Sequence, residues 1–252
     1  MGVSIVVSNQ KGGVGKTVIT VNLAEYAVER RGRVLVVDVD GQGNTTRYLI
    51  GKRAEYGKGA SMLYADGDTP VPLQVRDNLW IIPADKALID VEALPLDVVH
   101  FPKQHLAKLA KDFDLMVIDT PPVQGRRLVG ALVAASSVVT PLGVDAGSFE
   151  GLEDLLGDIK AVRSRWNPQL RHLGILVNRF RSQNKKQREN LAQLRQQLGD
   201  RVFPTELEDR SPVGAAFDAR HPIWKKTTGE SARLAAAQMR AACESILQRA
   251  HA

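Results

Sequence analysis

A glycine-rich segment near the start of the chain carries the residues best suited to chemistry. It runs from Lys11 to Thr17 and has glycines at three of its seven positions. Glycine lets a backbone turn tightly, so that successive N–H groups converge on an anion. The segment follows the apolar run at residues 5–7 and precedes a helical pattern, and the positive end of a helix dipole favours a bound anion. This arrangement predicts a phosphate-binding loop.

The side chains of the loop suit a nucleotide with magnesium. Lys16 is placed to contact the β- and γ-phosphates, and the Thr17 hydroxyl is a ligand for Mg²⁺. The nucleotide-binding residues predicted here are Gly12, Gly13, Val14, Gly15, Lys16 and Thr17.

The loop departs from the strict pattern G-x-x-x-x-G-K-[ST] in one informative way. Gln10 stands where the first glycine belongs, and Lys11 directly precedes the glycines. With this second lysine the segment resembles the deviant Walker A motif of the ParA/MinD family of P-loop ATPases. The resemblance implies ATP and Mg²⁺ as cofactors and a dimer that sandwiches the nucleotide. It also implies that Lys11 reaches across that dimer to the phosphates of the partner subunit.

Three carboxylates follow two further apolar runs. Residues 34–37 precede Asp38 and Asp40, and residues 115–118 precede Asp119. Ligands of a doubly wound sheet lie at the carboxyl ends of its strands, so we expect these side chains to face the loop. The segments resemble the D-x-D-P-Q-G-N and D-x-P-P segments of the same family.

That resemblance gives each carboxylate a role. Asp40 orients the attacking water, Asp38 supports the Mg²⁺ shell, and Asp119 acts as the Walker B aspartate. Gly41 stands where the family has proline, which loosens the loop and removes no functional side chain.

Asn178 ends the apolar run at residues 173–177. The family uses an asparagine at this strand end against the adenine base. An asparagine also caps turns through its side chain, and both interpretations stay open for Asn178.

The charge is divided unevenly along the chain. Residues 1–159 hold 16 Lys and Arg against 20 Asp and Glu, a net of −4, and residues 160–252 hold 18 against 8, a net of +10. A basic second half favours a polyanion partner, although an ordinary solvated basic surface is the alternative. The candidate DNA-binding residues are a cluster without an intervening acid, together with one arginine that matches the family's basic surface: Arg179, Arg181, Lys185, Lys186, Arg188 and Arg210.

Length and composition favour one α/β domain over residues 1–252, built on a single doubly wound, mostly parallel sheet flanked by helices. Hydrophobic residues make up 44% of the chain, enough for a sizeable core. A single cysteine, Cys243, fits a reducing compartment. We find no apolar run of spanning length, no signal peptide and no membrane-targeting tail, and so expect a cytoplasmic, nucleoid-associated protein without a membrane partner.

Hydrophobic periodicity predicts the remaining elements. Helices are expected at 18–30 (ended by Gly32), at 96–113 with a break at Pro102, and at 149–165, 187–198 and 231–248. Strands are expected at 79–83, 138–142 and 202–204. Residues 51–78 are expected to form loops with a short helix near 61–64.

The resemblance places the chain with the short, Soj-type ParA proteins. It implies an ATPase that partitions DNA, binds DNA without sequence preference as an ATP dimer, and is stimulated by a ParB-like, cargo-bound activator. Two alternatives are an ATPase that positions a protein assembly and a metabolic P-loop kinase or ligase. Lys11 argues against the last, because such enzymes rarely carry it.

Overall fold

A central sheet organises the computed structural model, which describes residues 2–51, 58–145 and 148–252. The sheet has eight strands in the order β3-β4-β2-β5-β1-β6-β7-β8. Every neighbouring pair is parallel except β3 with β4. The mostly parallel, doubly wound sheet expected from the sequence is therefore confirmed. The strands are β1 Val3–Val7, β2 Val34–Asp38, β3 Leu73–Arg76, β4 Leu79–Ile82, β5 Leu115–Asp119, β6 Ser137–Leu142, β7 Arg171–Phe180 and β8 Leu207–Glu208.

Helices cover both faces of this sheet. The α-helices are α1 Lys16–Glu29, α2 Asn44–Ile50, α3 Phe101–Leu109, α4 Arg126–Ala134, α5 Ser148–Arg165, α6 Lys185–Leu198, α7 Ser211–Asp218 and α8 Glu230–His251. Short 3₁₀ helices lie at Ala60–Tyr64, Lys86–Ala93, Leu96–His100 and Gly199–Arg201.

Alternate residues of the central strands enter two different cores. Val6 belongs to the core that contains α3, α4 and α5, whereas Ile5 and Val7 belong to the core that contains α1 and α8. A strand buried on both faces needs an apolar side chain at every position. This explains why the runs at β1, β2 and β5 are continuous rather than alternating.

Most predicted elements lie where the periodicity placed them, and three differ. The predicted strand at 202–204 is wrong: Val202 forms only an isolated bridge to Ile175, and the strand in this region is β8. The predicted helix at 96–113 is a 3₁₀ helix at Leu96–His100 followed by α3 at Phe101–Leu109, so the interruption lies just before Pro102, which occupies the first turn of α3, where a missing N–H costs no hydrogen bond. Helix α1 ends at Glu29, and the left-handed residue after it is Arg31 (φ 65°) rather than the predicted Gly32. Gly32 donates its N–H to the Ala27 carbonyl.

Two expectations touch residues outside the described ranges. Within the predicted loop region 51–78, residues 52–57 lie outside them, and the short helix near 61–64 is confirmed as the 3₁₀ helix Ala60–Tyr64. Helix α5 begins one residue before the predicted start, and nothing is described of the side chains of its first four residues. In the described residues, no helix combines the length and apolarity that crossing a bilayer requires.

Candidate functional site

The sheet register brings the predicted functional segments to one edge. In the parallel pairing of β1 with β5, Val7 lies opposite Asp119, and in the pairing of β2 with β5, Asp38 also lies opposite Asp119. The glycine-rich loop leaves the end of β1, next to these carboxylates. The carboxyl ends of β1, β2 and β5 therefore form one polar edge, as expected for a ligand site in such a sheet.

The backbone of the glycine-rich loop requires glycine at two of its three glycine positions. Gly13 and Gly15 have positive φ angles of 72° and 87°, which L-side chains rarely adopt. A Cβ at Gly15 would also overlap Nδ2 of Asn178. Gly12 has neither constraint, so the glycine expected there is not required by the backbone in this structure.

Lys16 begins α1 and is buried, with 7% of its surface exposed. Its Nζ donates to the Lys11 carbonyl at 3.4 Å. Burial lowers the pKa of Lys16, and the charges of Asp119 and Asp40 oppose that change. The ammonium group therefore bonds the loop and is attracted by the charges of two of the three predicted carboxylates.

Asp119 is a fully buried carboxylate that accepts hydrogen bonds from three threonines, of which Thr20 Oγ1 is the most distant, at 3.5 Å from Oδ1. Thr17 Oγ1 donates to its Oδ2 at 2.9 Å, and Thr45 Oγ1 donates to the same oxygen at 2.7 Å. Burial raises the pKa of Asp119, and these two hydrogen bonds counteract the rise. The predicted Mg²⁺ ligands Thr17 and Asp119 are thus in direct contact.

Asp38 and Asp40 make different contacts. Asp38 is fully buried and its Oδ2 accepts from both the backbone N–H and the hydroxyl of Thr46, at 2.8 and 2.7 Å. Burial, followed by the charge of Asp119, raises the pKa of Asp38. Asp40 has 9% of its surface exposed, and its Oδ1 accepts from the Gln42 N–H at 3.0 Å. Asp38, at the end of β2, is thus bonded by Thr46 of α2, whereas Asp40 lies in the turn between the two elements.

Sequence reasoning missed Thr45 and Thr46, which bond Asp119 and Asp38 respectively. Both lie in the first turn of α2, just after the D-x-D segment. Their position directly behind a carboxylate-bearing strand end was the available signal.

Asn178 lies against the phosphate loop. Its Nδ2 donates to the Val14 carbonyl at 2.7 Å, and Arg179 Nη1 donates to the Gly13 carbonyl at 3.2 Å. Both residues line a cavity of about 240 Å³ beside the loop, together with Asp209 and Gln187. Contact with adenine and the capping of a turn both remain predictions for Asn178.

Three of the predicted DNA-binding arginines lie close to the carboxylates of Asp209 or Glu208. Arg181 donates to Asp209 at 2.8 Å, and Arg179 lies 3.6 Å from the same carboxylate. Arg210 pairs with Glu208 at 2.6 Å and its side chain is only 21% exposed.

The lysines of this group are more accessible than these arginines. The side chains of Lys185 and Lys186 are 84% and 76% exposed, and each lies 3.9 Å from Glu189. Arg188 is also exposed and donates to the Ser182 carbonyl at 2.7 Å.

The oxygen atoms at this edge suit an Mg²⁺ ion that is also bound by the phosphates of a nucleotide. Within the described ranges, no group of three or more His, Cys, Asp or Glu could hold a metal by itself. A threonine hydroxyl, nearby carboxylates and a lysine-bearing phosphate loop are the protein's share of a site that shares Mg²⁺ with a nucleotide.

Comparison with known proteins decides the family. A family model described as an AAA domain (AAA_31) matches residues 2–172. The chromosome-partitioning ATPase Soj of Thermus thermophilus is 36% identical over 80% of this chain and 79% of its own length. The chain belongs to the ParA/MinD family. Protein IncC of Escherichia coli is 33% identical over 96% of this chain and 68% of its own length, and the sporulation initiation inhibitor protein Soj of Bacillus subtilis is 31% identical over 88% and 90%.

Solved structures agree on the fold. Cobyrinic acid a,c-diamide synthase from Mycobacterium smegmatis, with a bound ATP analogue and magnesium, has a TM-score of 0.82 at 25% identity and covers 98% of this chain and 95% of its own. The McdA–ATP complex from Cyanothece has a TM-score of 0.85 at 20% identity and covers 98% and 96%. The P-loop fold expected from the glycine-rich loop is therefore confirmed, and the family resemblance with it.

Proposed function

We propose that this ParA/MinD protein is an ATPase that partitions DNA. The observation that carries the proposal is the hydrogen bond of Thr17 to Asp119, beside a buried Lys16 that is attracted by the charges of Asp119 and Asp40 and bonds the Lys11 carbonyl. Relatives of 31–36% identity named for chromosome partitioning or as Soj support the same cellular role. ATP with Mg²⁺ is the ligand that this edge suits.

The proposed chemistry is electrostatic. The loop amides and Lys16 bind the β- and γ-phosphates, Thr17 and Asp119 hold Mg²⁺ with support from Asp38, and Asp40 orients the attacking water. Mg²⁺, when bound, neutralises charge on the transferred phosphoryl group. Asn178 lies beside the cavity next to the loop, where we place the adenine.

Lys11 acts in the ATP-bound dimer. A second lysine on the loop is not needed for binding phosphate within one subunit, because Lys16 supplies that charge. We assign Lys11 to the phosphates of the partner subunit, so that ATP favours dimerisation and hydrolysis reverses it. A ParB-like protein bound to the cargo stimulates that hydrolysis.

The dimer binds nucleoid DNA without sequence preference. The exposed lysines of α6, with the neighbouring arginines, are candidates for phosphate contacts. A dimer doubles the contacts of one subunit, so ATP strengthens DNA binding through avidity without new base contacts.

A metabolic synthase is the second candidate, favoured by the likeness to cobyrinic acid a,c-diamide synthase. One measurement separates the two: binding of two unrelated duplexes with ATP, with ADP and without nucleotide. Partitioning predicts ATP-dependent binding of equal affinity to both duplexes. Absence of DNA binding under all three conditions would overturn the proposal in favour of the synthase.

A further inference from the structure

Arg127 is a nearly buried arginine at the start of α4, the helix that follows the Asp119 loop. Its side chain is only 10% exposed, and its Nε donates to Oε1 of Glu92 at 2.7 Å. The Tyr64 hydroxyl donates to its backbone carbonyl at 2.7 Å. Both the backbone and the guanidinium of Arg127 are therefore fixed.

Glu92 fixes the start of α4 as well as the arginine. Its Oε2 accepts from the Arg126 N–H at 2.7 Å, and a Cβ at Gly125 would overlap this carboxylate. A carboxylate at a helix N-terminus satisfies free N–H groups and interacts favourably with the helix dipole. Arg127 is thereby held at a set position relative to the end of β5.

The guanidinium reaches the turn that carries Asp40. A Cβ built on Gly41 would lie 3.3 Å from Nη1 of Arg127, closer than side chains ordinarily pack. The φ angle of Gly41 lies outside the positive range, so the backbone itself does not demand glycine. An alanine at Gly41 would therefore require Arg127 or the turn to shift by a few tenths of an ångström.

We propose that Arg127 is a positioning residue for Asp40. The turn is closed by the Gln42 N–H, which bonds Oδ1 of Asp40 at 3.0 Å, and by the Gly43 N–H, which bonds the Asp40 carbonyl at 2.8 Å. Arg127, fixed by Glu92, packs on this turn and sets the distance of the Asp40 carboxylate from the phosphate loop. This inference rests on the proposed role of Asp40 in hydrolysis.

The test is a double-mutant cycle of Gly41→Ala and Arg127→Ala, with kcat for ATP hydrolysis and ATP affinity measured for each variant. Arg127→Ala should lower kcat by about tenfold or more, because a small misplacement of a catalytic group is costly. ATP affinity should change by less than about twofold, because the phosphate loop is untouched. Gly41→Ala should lower kcat a few-fold in the wild type and cause no further loss with Arg127→Ala, since the crowding is gone.

Arg126→Ala is the matched control, because Arg126 bonds the Glu92 carbonyl at 2.5 Å whereas Arg127 lies beside Gly41. Hydrogen exchange at the Gln42 and Gly43 amides gives a readout without ATP: it should quicken in Arg127→Ala and stay unchanged in Arg126→Ala. If the alanine variant does not fold, Arg127→Lys takes its place, because lysine preserves the charge and most of the volume. This variant should show the same faster exchange, since lysine lacks the planar guanidinium that packs on the turn.

Equal losses from Gly41→Ala in both backgrounds, or unchanged exchange in the Arg127 variants, would overturn the inference. Failure of the proposed function looks different. In that case Asp40→Ala would hydrolyse ATP as fast as the wild type, while the exchange result for the Arg127 variants would still hold.

Discussion

The phosphate-loop edge and the basic cluster on β7 and α6 are built in opposite ways. At the edge, the polar groups are buried and bonded to each other, as Asp119 is to Thr17 and Thr45. In the cluster, the charged side chains are exposed, and their partners are surface acids such as Asp209 and Glu189. Buried polar contacts hold one geometry because breaking them leaves an unsatisfied group, whereas exposed ion pairs contribute little.

This difference tells us what to expect from substitution. A single substitution at the edge should strongly impair one step, such as nucleotide binding or hydrolysis. Each buried group there is held in one position, and no neighbouring group can replace it. A single change in the cluster should shift affinity gradually, because phosphate contacts to DNA are many and interchangeable. Five predictions test that contrast, from the largest expected effect to the smallest.

Lys16→Ala should abolish ATP binding. The phosphates lose their main side-chain cation, and a charge-assisted contact in a buried site has no replacement. We expect an increase in Kd of about 100-fold or more, equivalent to roughly 2.7 kcal/mol, measured with a fluorescent ATP analogue. Lys111→Ala, at an exposed lysine beyond the end of α3, is the control and should bind normally. Near-wild-type affinity in Lys16→Ala would remove the loop from the site.

Asp40→Ala should separate binding from turnover. The phosphate cradle stays intact while the group that orients water is lost, so ATP affinity should hold and kcat should fall by about 100-fold. Single-turnover hydrolysis with an independent binding titration measures both. Asp66→Ala removes an exposed carboxylate and should have no effect. If Asp40→Ala turned over as fast as the wild type, another group would have to orient the water.

Lys11→Ala should bind ATP yet remain a monomer. The charge it removes is needed by the partner subunit's nucleotide, and Lys16 still serves its own subunit. Light scattering with ATP gives the mass directly, with Lys111→Ala as the control that should dimerise. A stable ATP dimer of Lys11→Ala would refute the action across the interface.

Lys185→Ala with Lys186→Ala should weaken DNA binding without affecting the ATP dimer. Removing one phosphate contact reduces the slope of log affinity against log salt by about 0.9, so the pair should reduce it by up to roughly 1.8. Lys103→Ala with Lys108→Ala removes two exposed charges from α3 and is the matched control. Arg210→Ala should reduce the slope less than the lysine pair, because Arg210 is mostly buried against Glu208. An unchanged slope in the lysine variant would place the DNA surface elsewhere.

Asp209→Asn should strengthen DNA binding slightly. It removes the carboxylate that pairs with Arg181 and lies near Arg179, so both arginines become available to phosphate. We expect a gain of about two- to fivefold at low salt, in keeping with the small free energy of exposed ion pairs. Because Asp209 also lines the cavity beside the loop, ATP affinity must be measured in parallel. Weaker DNA binding at unchanged ATP affinity would contradict the cluster as the DNA surface.

Sequence alone determined the parts of this protein that depend on local order. Continuous apolar runs specified the buried strands, and glycines between a strand and a helix specified the loop of Lys16 and Thr17. The carboxyl ends of parallel strands all lie at the same edge of the sheet. The sequence was therefore enough to place Asp38, Asp40 and Asp119 at that edge. The predicted strand at residues 202–204 is wrong, and β8 was missed because a two-residue edge strand carries almost no periodic signal.

The tertiary structure decided which distant residues meet. The sequence places Thr45 close to a carboxylate-bearing strand end but does not indicate that it bonds Asp119, and nothing near Gly41 indicates Arg127. The acid-free stretch from Arg179 to Arg188 meets Asp209 only because β7 pairs with β8 and aligns the two segments. Periodicity indicates on which face of its own helix or strand each side chain lies. Contacts between elements depend on how several helices and strands pack together.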